Sequence, residues 1–274
     1  MLSVNTNTGA MVALQYLNKT EADLQTTQSH INSGLKVAGP KDNGAVYAIA
    51  QNMRGNVAGY AAVSDSLNRG VSTVDVAISA GQSISDLLNE LKGKALAAAD
   101  ASLDTASRNA LNADFTALRD QITTIVQNAS FNGTNLVDGT TANIQALASA
   151  DGSKKITAAA QTLKLSGSIV TVKSTSTIST TGKASTMVST INSSIQNVNA
   201  SLAKLASSSK KFSIQSSFVS KLVDTLNGGI GNLVDADMAV ESAKLQSLQV
   251  RQQLGVQALS IANSAPSITL SLFR

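Results

Sequence analysis

Apolar residues recur along most of this chain at alternating steps of three and four, the spacing that lays a stripe down one side of an α-helix. From Ala10 the stripe passes through Leu14, Leu17, Glu21, Leu24, Gln28, Ile31 and Leu35, with six of its eight positions apolar. Gly39 followed by Pro40 predicts the end of this first helix, because glycine suits a left-handed cap and proline does not continue a helix. A second stripe runs Val46, Ala50, Met53, Val57, Tyr60, Ser64, Leu67, Val71, Val74, Ile78, Gly81, Ser85 and Leu88, ten of thirteen apolar with no internal proline. It predicts a helix over about 45–98, roughly 80 Å long, which needs partners along its length. Leu111, Phe115, Leu118, Ile122, Ile125 and Ala129 then predict a third helix folded back on the second.

The middle of the chain has a different texture. Phe131-Asn132-Gly133-Thr134 and Asp138-Gly139 are turn signals. Runs at 162–165 and 169–173 around Ser166-Gly167 predict a β-hairpin. Between Ser166 and Thr186, 12 of 21 residues are Ser or Thr, which reads as a solvated loop or exposed ribbon, or as a surface for hydroxyl modification. The helical rhythm returns from Val188 through Ile191, Ile195, Val198, Leu202, Leu205, Phe212, Val219 and Leu226 to Leu233. Gly228-Gly229 and Gly231 interrupt it and predict a flexible joint. A last helix is expected over 235–263, stopping near Ala265-Pro266. The fold class is therefore mainly α, a long coiled-coil helical bundle formed by the N- and C-terminal segments, with a small central β-hairpin region. A seven-residue rhythm held this long implies left-handed supercoiling.

Composition sharpens that picture. Charged residues make up 14% of the chain and aromatics 3%, where about 25% charged is usual. The helix faces away from the stripes carry Ser, Thr, Asn, Gln and Ala, which suits burial against more protein and argues for self-assembly. There is no Cys, so disulfides and thiolate chemistry are excluded. No apolar run reaches the length of a membrane span, so no membrane insertion is expected. The first base is Lys19, which predicts no cleavable secretory signal. Residues 1–151 hold 13 acids and 9 bases; residues 152–274 hold 4 acids and 12 bases. That asymmetry predicts that the acidic half packs against the basic half, within the chain or in a neighbour. The bases are spread out, without aromatics or arginine clusters, so no nucleic acid is expected.

Candidate chemistry is sparse. His30, the one histidine, lies off the apolar stripe with no nucleophile in view, and reads as a solvated or interface residue. Asp235, Asp237 and Glu241 could hold a hard cation, but more simply favour the N-terminus of the last helix. No P-loop, nucleophile elbow or metal-ligand spacing is present. The reading is not an enzyme, with no cofactor and no metal.

Several motifs then fall in a recognisable order. Val4-Asn5-Thr6-Asn7, Ser33-Gly34-Leu35-Lys36-Val37, Lys41-Asp42-Asn43-Gly44-Ala45 and Phe131-Asn132-Gly133-Thr134-Asn135-Leu136 stand in the first half. Val234-Asp235-Ala236-Asp237-Met238-Ala239, Ala258-Leu259-Ser260-Ile261-Ala262-Asn263 and Leu270-Ser271-Leu272-Phe273-Arg274 stand near the other end. Together these resemble bacterial flagellin over about 1–137 and 185–274, in the short alphaproteobacterial form that lacks large outer domains. Ser264 and Ser267 stand where that family usually has Gln. Lys94-Ala95-Leu96 stands where it often has Arg-Glu-Leu, part of a surface seen by an innate immune receptor, so weak recognition is expected.

The resemblance implies a structural subunit that self-assembles into a helical filament for motility. It implies an inner coiled-coil core domain from 1–44 plus 229–274, a helical bundle domain from 45–130 plus 185–228, and a hairpin and loop region over 131–184. It also implies a secreted, extracellular product of the flagellar type III export apparatus. Partners would be an export chaperone, cap and hook-junction proteins, and other copies of the chain. The expected assembly residues are Leu2, Val4, Leu14, Leu17, Leu24, Ile31, Met238, Leu245, Leu248, Leu259, Ile261, Leu270, Leu272 and Phe273. Rival readings are a hook–filament junction protein of the same fold and, more distantly, a cytoplasmic coiled-coil signalling module.

Overall fold

The structure, a computed structural model, describes residues 6–271, with side chains described through residue 264. It is mainly α. Five helices run α1 Thr8–Ser33, α2 Gly44–Ala98, α3 Thr105–Asn128, α4 Thr181–Val234 and α5 Met238–Ser271. Two antiparallel strand pairs lie between α3 and α4 in the chain: β1 Ser130–Phe131 with β2 Thr134–Asn135, and β3 Asn143–Leu147 with β4 Lys155–Ala159.

Local chemistry sets the helix ends. Asp104 caps α3, accepting the N–H of Ser107 at 2.9 Å, and these Ser107 bonds hold its carboxyl below the usual carboxylate range. Asp237 caps α5 by accepting the N–H groups of Ala239 and Val240. Helix α1 ends earlier than the stripe predicts. Gly34, not Gly39, takes the left-handed conformation (φ 71°) and donates to the carbonyl of His30. The chain then leaves the helix because Lys36 and Val37 both donate to the carbonyl of Val234. Asp42 closes the following turn on the N–H groups of Ala38 and Gly39, and Asn43 accepts from Val46 at the start of α2.

The chain divides into two compact units, a terminal one of Met1–Gly55 with Thr225–Arg274 and a central one of Asn56–Asp224. The central unit has a closed core. Leu67, Val74, Ile84, Leu88 and Leu91 of α2 meet Phe115 and Ile122 of α3 and Ile191, Val198, Leu205 and Phe212 of α4, all fully buried. The β3–β4 hairpin turns Ala146 and Ala158 into this core. Leu147 donates its N–H to Ser66 Oγ on α2 (3.1 Å), and Gln215 Nε2 on α4 donates to the carbonyl of Ala148 (3.2 Å). The hairpin is thus tied to both long helices.

Gly59 makes that arrangement possible. A Cβ there would stand 2.7 Å from the carbonyl oxygen of Ala150. Gly59→Ala is therefore expected to destabilise the central unit by about 1–3 kcal/mol in urea unfolding. Gly93 is also within α2 but has open space around it. Gly93→Ala should instead stabilise by about 1 kcal/mol. Equal effects at the two sites would refute the close contact.

The expected hairpin at 162–173 is not where the strands form. Ser166 donates to the carbonyl of Val172 and Gly167 to that of Val170, but no ladder extends from them. Instead Leu163, Val170, Val172 and Ile178 are buried and pin the segment down. Side chains take its backbone groups: Ser194 Oγ accepts from Thr171 N–H, Asn112 Oδ1 accepts from Ile178 N–H, and Arg119 donates to the carbonyl of Ser176 at 2.7 Å. These bonds replace a strand partner, so the segment is a coil anchored by its apolar side chains, while Ser166, Ser168, Ser174, Thr175 and Thr180 stay exposed.

Two further expectations fail at the far end. Helix α4 passes through Gly228, Gly229 and Gly231 without a break. A Cβ on Gly229 would stand 3.0 Å from Met53 Cε, so the glycine admits a close neighbour. Helix α5 runs through Pro266 to Ser271 where a stop near Ala265-Pro266 was expected. None of the salt bridges Lys94–Asp114, Arg119–Asp120, His30–Glu241 and Lys244–Glu241 joins an acid of residues 6–151 to a base of residues 152–271.

Candidate functional site

In the terminal unit α1 packs along α5, and the two run antiparallel. Asn7 reaches Ala262, Leu17 lies against Gly255, His30 meets Glu241, and Leu35 bridges to Asp235. From Asn7 to His30 that is roughly 35 Å of continuous seam at 1.5 Å per residue. On α5 the less exposed positions are Glu241, Leu245, Leu248, Gln252, Gly255, Leu259 and Ala262, a strict alternation of four and three. On α1 they are Ala10, Ala13, Leu17, Thr20, Leu24, Thr27 and Ile31, with His30 beside the last. This seam is a coiled coil built partly from small residues. At its middle a Cβ on Gly255 would come 3.2 Å from Leu17 Cδ1, so the helices approach closely there.

One seam does not cover these helices. Of the fourteen large apolar side chains left exposed among the described residues, eleven belong to the terminal unit. They include Met11, Val12, Leu14 and Tyr16 on α1 and Val240, Val250, Leu254, Val256 and Ile261 on α5. Tyr16 and Ile261 are each 70% exposed. The central unit, by contrast, exposes only Leu96, Ile214 and Phe218 of this group. An apolar surface of this extent marks a site for association with other protein.

The expected assembly residues divide accordingly. Leu17 and Leu248 are buried in the seam, and Leu24, Ile31, Leu245 and Leu259 are half-buried in it. Leu14, Met238 and Ile261 face outward. Leu2, Val4, Leu272 and Phe273 lie outside the described residues, as does the side chain of Leu270. Sequence reasoning placed Leu14, Glu21 and Gln28 in the α1 stripe; the seam uses Ala13, Thr20 and Thr27 instead. The signal was there, since 10, 13, 17, 20, 24, 27 and 31 also alternate by three and four. Counting Ala and Thr as seam residues would have found it.

The polar chemistry of the unit is structural. His30 Nδ1 and Glu241 Oε1 lie 3.1 Å apart with both side chains largely buried, so His30 is an interhelical contact within the chain. The other oxygen, Glu241 Oε2, is buried without a hydrogen-bond partner, and Lys244 Nζ is 4.0 Å from it. Among the described residues no three His, Cys, Asp or Glu side chains gather as a metal site. No helix among them is long and apolar enough to cross a membrane.

Comparison with known proteins addresses the same two ends. The family model for the bacterial flagellin N-terminal helical region matches residues 4–142, and that for the bacterial flagellin C-terminal helical region matches residues 188–273. Flagellin FljM of Caulobacter vibrioides is 53% identical over 272 residues, 99% of this chain and 98% of that protein. A flagellin of Brucella melitensis biotype 1 is 35% identical over 283 positions, covering 100% of both. The crystal structure of Bacillus cereus flagellin matches with a TM-score of 0.43 and 19% identity, over 65% of this chain and 92% of that one.

Proposed function

Because this chain belongs to the bacterial flagellin family, we propose that its α1–α5 pair is the inner coiled-coil core through which copies join in the flagellar filament. The chain is a structural subunit of that filament and not an enzyme, in the short form without a large outer domain. The reading assigns 1–44 with 229–274 to the core, 45–130 with 185–228 to a surrounding helical bundle, and 131–184 to a hairpin and loop region of that bundle. Leu2, Val4, Leu14, Leu17, Leu24, Ile31, Met238, Leu245, Leu248, Leu259, Ile261, Leu270, Leu272 and Phe273 are its assembly residues.

The observation that carries this is the unequal exposure of apolar side chains. The central unit buries its own core, while the terminal unit leaves Met11, Leu14, Val250 and Leu254 open. Neighbouring copies in a polymer would remove that surface from water, at roughly 1.5–3 kcal/mol per side chain before entropy is subtracted. The family also supports the finer partners: an export chaperone, the type III export apparatus, and cap and hook-junction proteins, with an extracellular destination.

Removal of residues 263–274 tests the core assignment. After heating and cooling, full-length protein should give long filaments by electron microscopy, and the truncated chain should stay in the supernatant on sedimentation. Filaments from the truncated chain would refute it. Short collars from the intact chain would favour a junction protein instead.

A further inference from the structure

Helix α5 contains a proline that ought to leave a gap in its hydrogen bonding. In an α-helix the carbonyl of residue i accepts the N–H of residue i+4. Residue 266 is proline, whose nitrogen carries no hydrogen. The carbonyl of Ala262 therefore lacks the usual i+4 donor of its own helix, although α5 is continuous through Ser271. The structure supplies one from the other end of the chain. Asn7 Nδ2 donates to the carbonyl of Ala262 at 2.7 Å, across 255 residues of sequence.

The same side chain has a second task. Asn7 Oδ1 accepts the N–H of Ala10 at 3.0 Å, which caps α1. The two partners fix the orientation of the amide, since a backbone N–H only donates and a backbone carbonyl only accepts. Asp, Ser, Thr and Asn all serve as caps. An aspartate keeps the cap and has no hydrogen for Ala262. Asparagine supplies both an acceptor and a donor from one planar group.

We infer that Asn7 is a positioning residue that acts through the carbonyl freed by Pro266, locking the start of α1 to the last turns of α5 in one register. The first turn of α1 and the end of α5 are thereby completed by each other. This rests on the reading that α1 and α5 pair in the filament core, and it adds the contact that sets their alignment.

A double-mutant cycle in the full-length chain tests it, using Asn7→Asp, Pro266→Ala and the pair together. Asn7→Asp retains the cap and places a negative charge at a helix N-terminus, which by itself is favourable. It should nonetheless raise the critical concentration for polymerisation by about ten-fold or more. Pro266→Ala returns an N–H to position 266, so Ala262 is satisfied within α5. In that background Asn7→Asp should cost less than about three-fold. Equal cost in both backgrounds would overturn the inference, leaving Asn7 as the cap of α1 alone, and so would the absence of any cost in the native background. If the unaltered chain forms no filament, the core reading fails separately. The cycle is then scored on the thermal stability of the soluble chain. Destabilisation by Asn7→Asp that shrinks in the Pro266→Ala background supports the inference; equal destabilisation in both backgrounds, or none in the native one, overturns it.

Discussion

Replacing Val250 and Leu254 together with aspartate leaves the chain folded and stops filament growth. Both side chains are on the outward side of α5, 55% and 59% exposed, four residues apart and therefore neighbours on one face. Within a single chain they touch little, so stability should change by no more than about 0.5 kcal/mol each. In the polymer both are expected to be buried. Losing them forfeits roughly 3–6 kcal/mol and leaves two carboxylates without partners in an apolar contact. Since about 1.4 kcal/mol is a factor of ten, the critical concentration should rise at least a hundred-fold. Sedimentation across a concentration series reads the assembly, and circular dichroism reads the fold of the soluble chain. Pelleting at the native concentration would show that this face of α5 is not a subunit contact.

The second large effect is confined to the central unit. Phe212→Ala should destabilise it by about 3–5 kcal/mol, because the ring is fully buried and its removal leaves a cavity. The fit is close. A Cβ on Gly70 of α2 would stand 3.2 and 3.3 Å from two ring carbons, so this ring packs where α2 has no side chain. For a unit of this size the melting temperature should fall by about 6–20 °C. Phe218, one and a half turns further along α4, is 55% exposed. Phe218→Ala should change the melting temperature of the soluble chain by no more than a degree or two. Similar losses at both positions would mean that the core is not organised around α4 as described.

That contrast shows where sequence reading succeeds and where it stops. The rhythm of three and four identified α2 and α3 nearly to their ends, because a long unbroken period has few competing interpretations. It marked Phe212 and Leu205 as core positions on α4, and both are fully buried. Phe218 lay off the stripe and is exposed. The β-hairpin was expected at 162–173 and formed at 143–159. Short apolar runs in both segments suit strands equally well. What separates them is that the residues of 162–178 found hydrogen-bond partners on Asn112, Arg119 and Ser194, and those partners are far away in the sequence.

Periodicity, caps and composition therefore determined the helical character of this chain, the approximate extent of its long helices, and the need of its two ends for other protein. These follow from local steric preference and from the count of apolar side chains, which no arrangement in space alters. The tertiary structure alone decided which of two overlapping stripes on α1 became the seam, with Ala13, Thr20 and Thr27 facing α5 and Leu14 left outside. It also decided that Gly229 admits Met53 without a break in α4, and that Asn7 satisfies a carbonyl that Pro266 leaves open. Period specifies the face a helix presents, but how close its partner comes depends on the side chains of both. A helix terminus or break signalled by one residue is overruled when a distant residue supplies the missing contact.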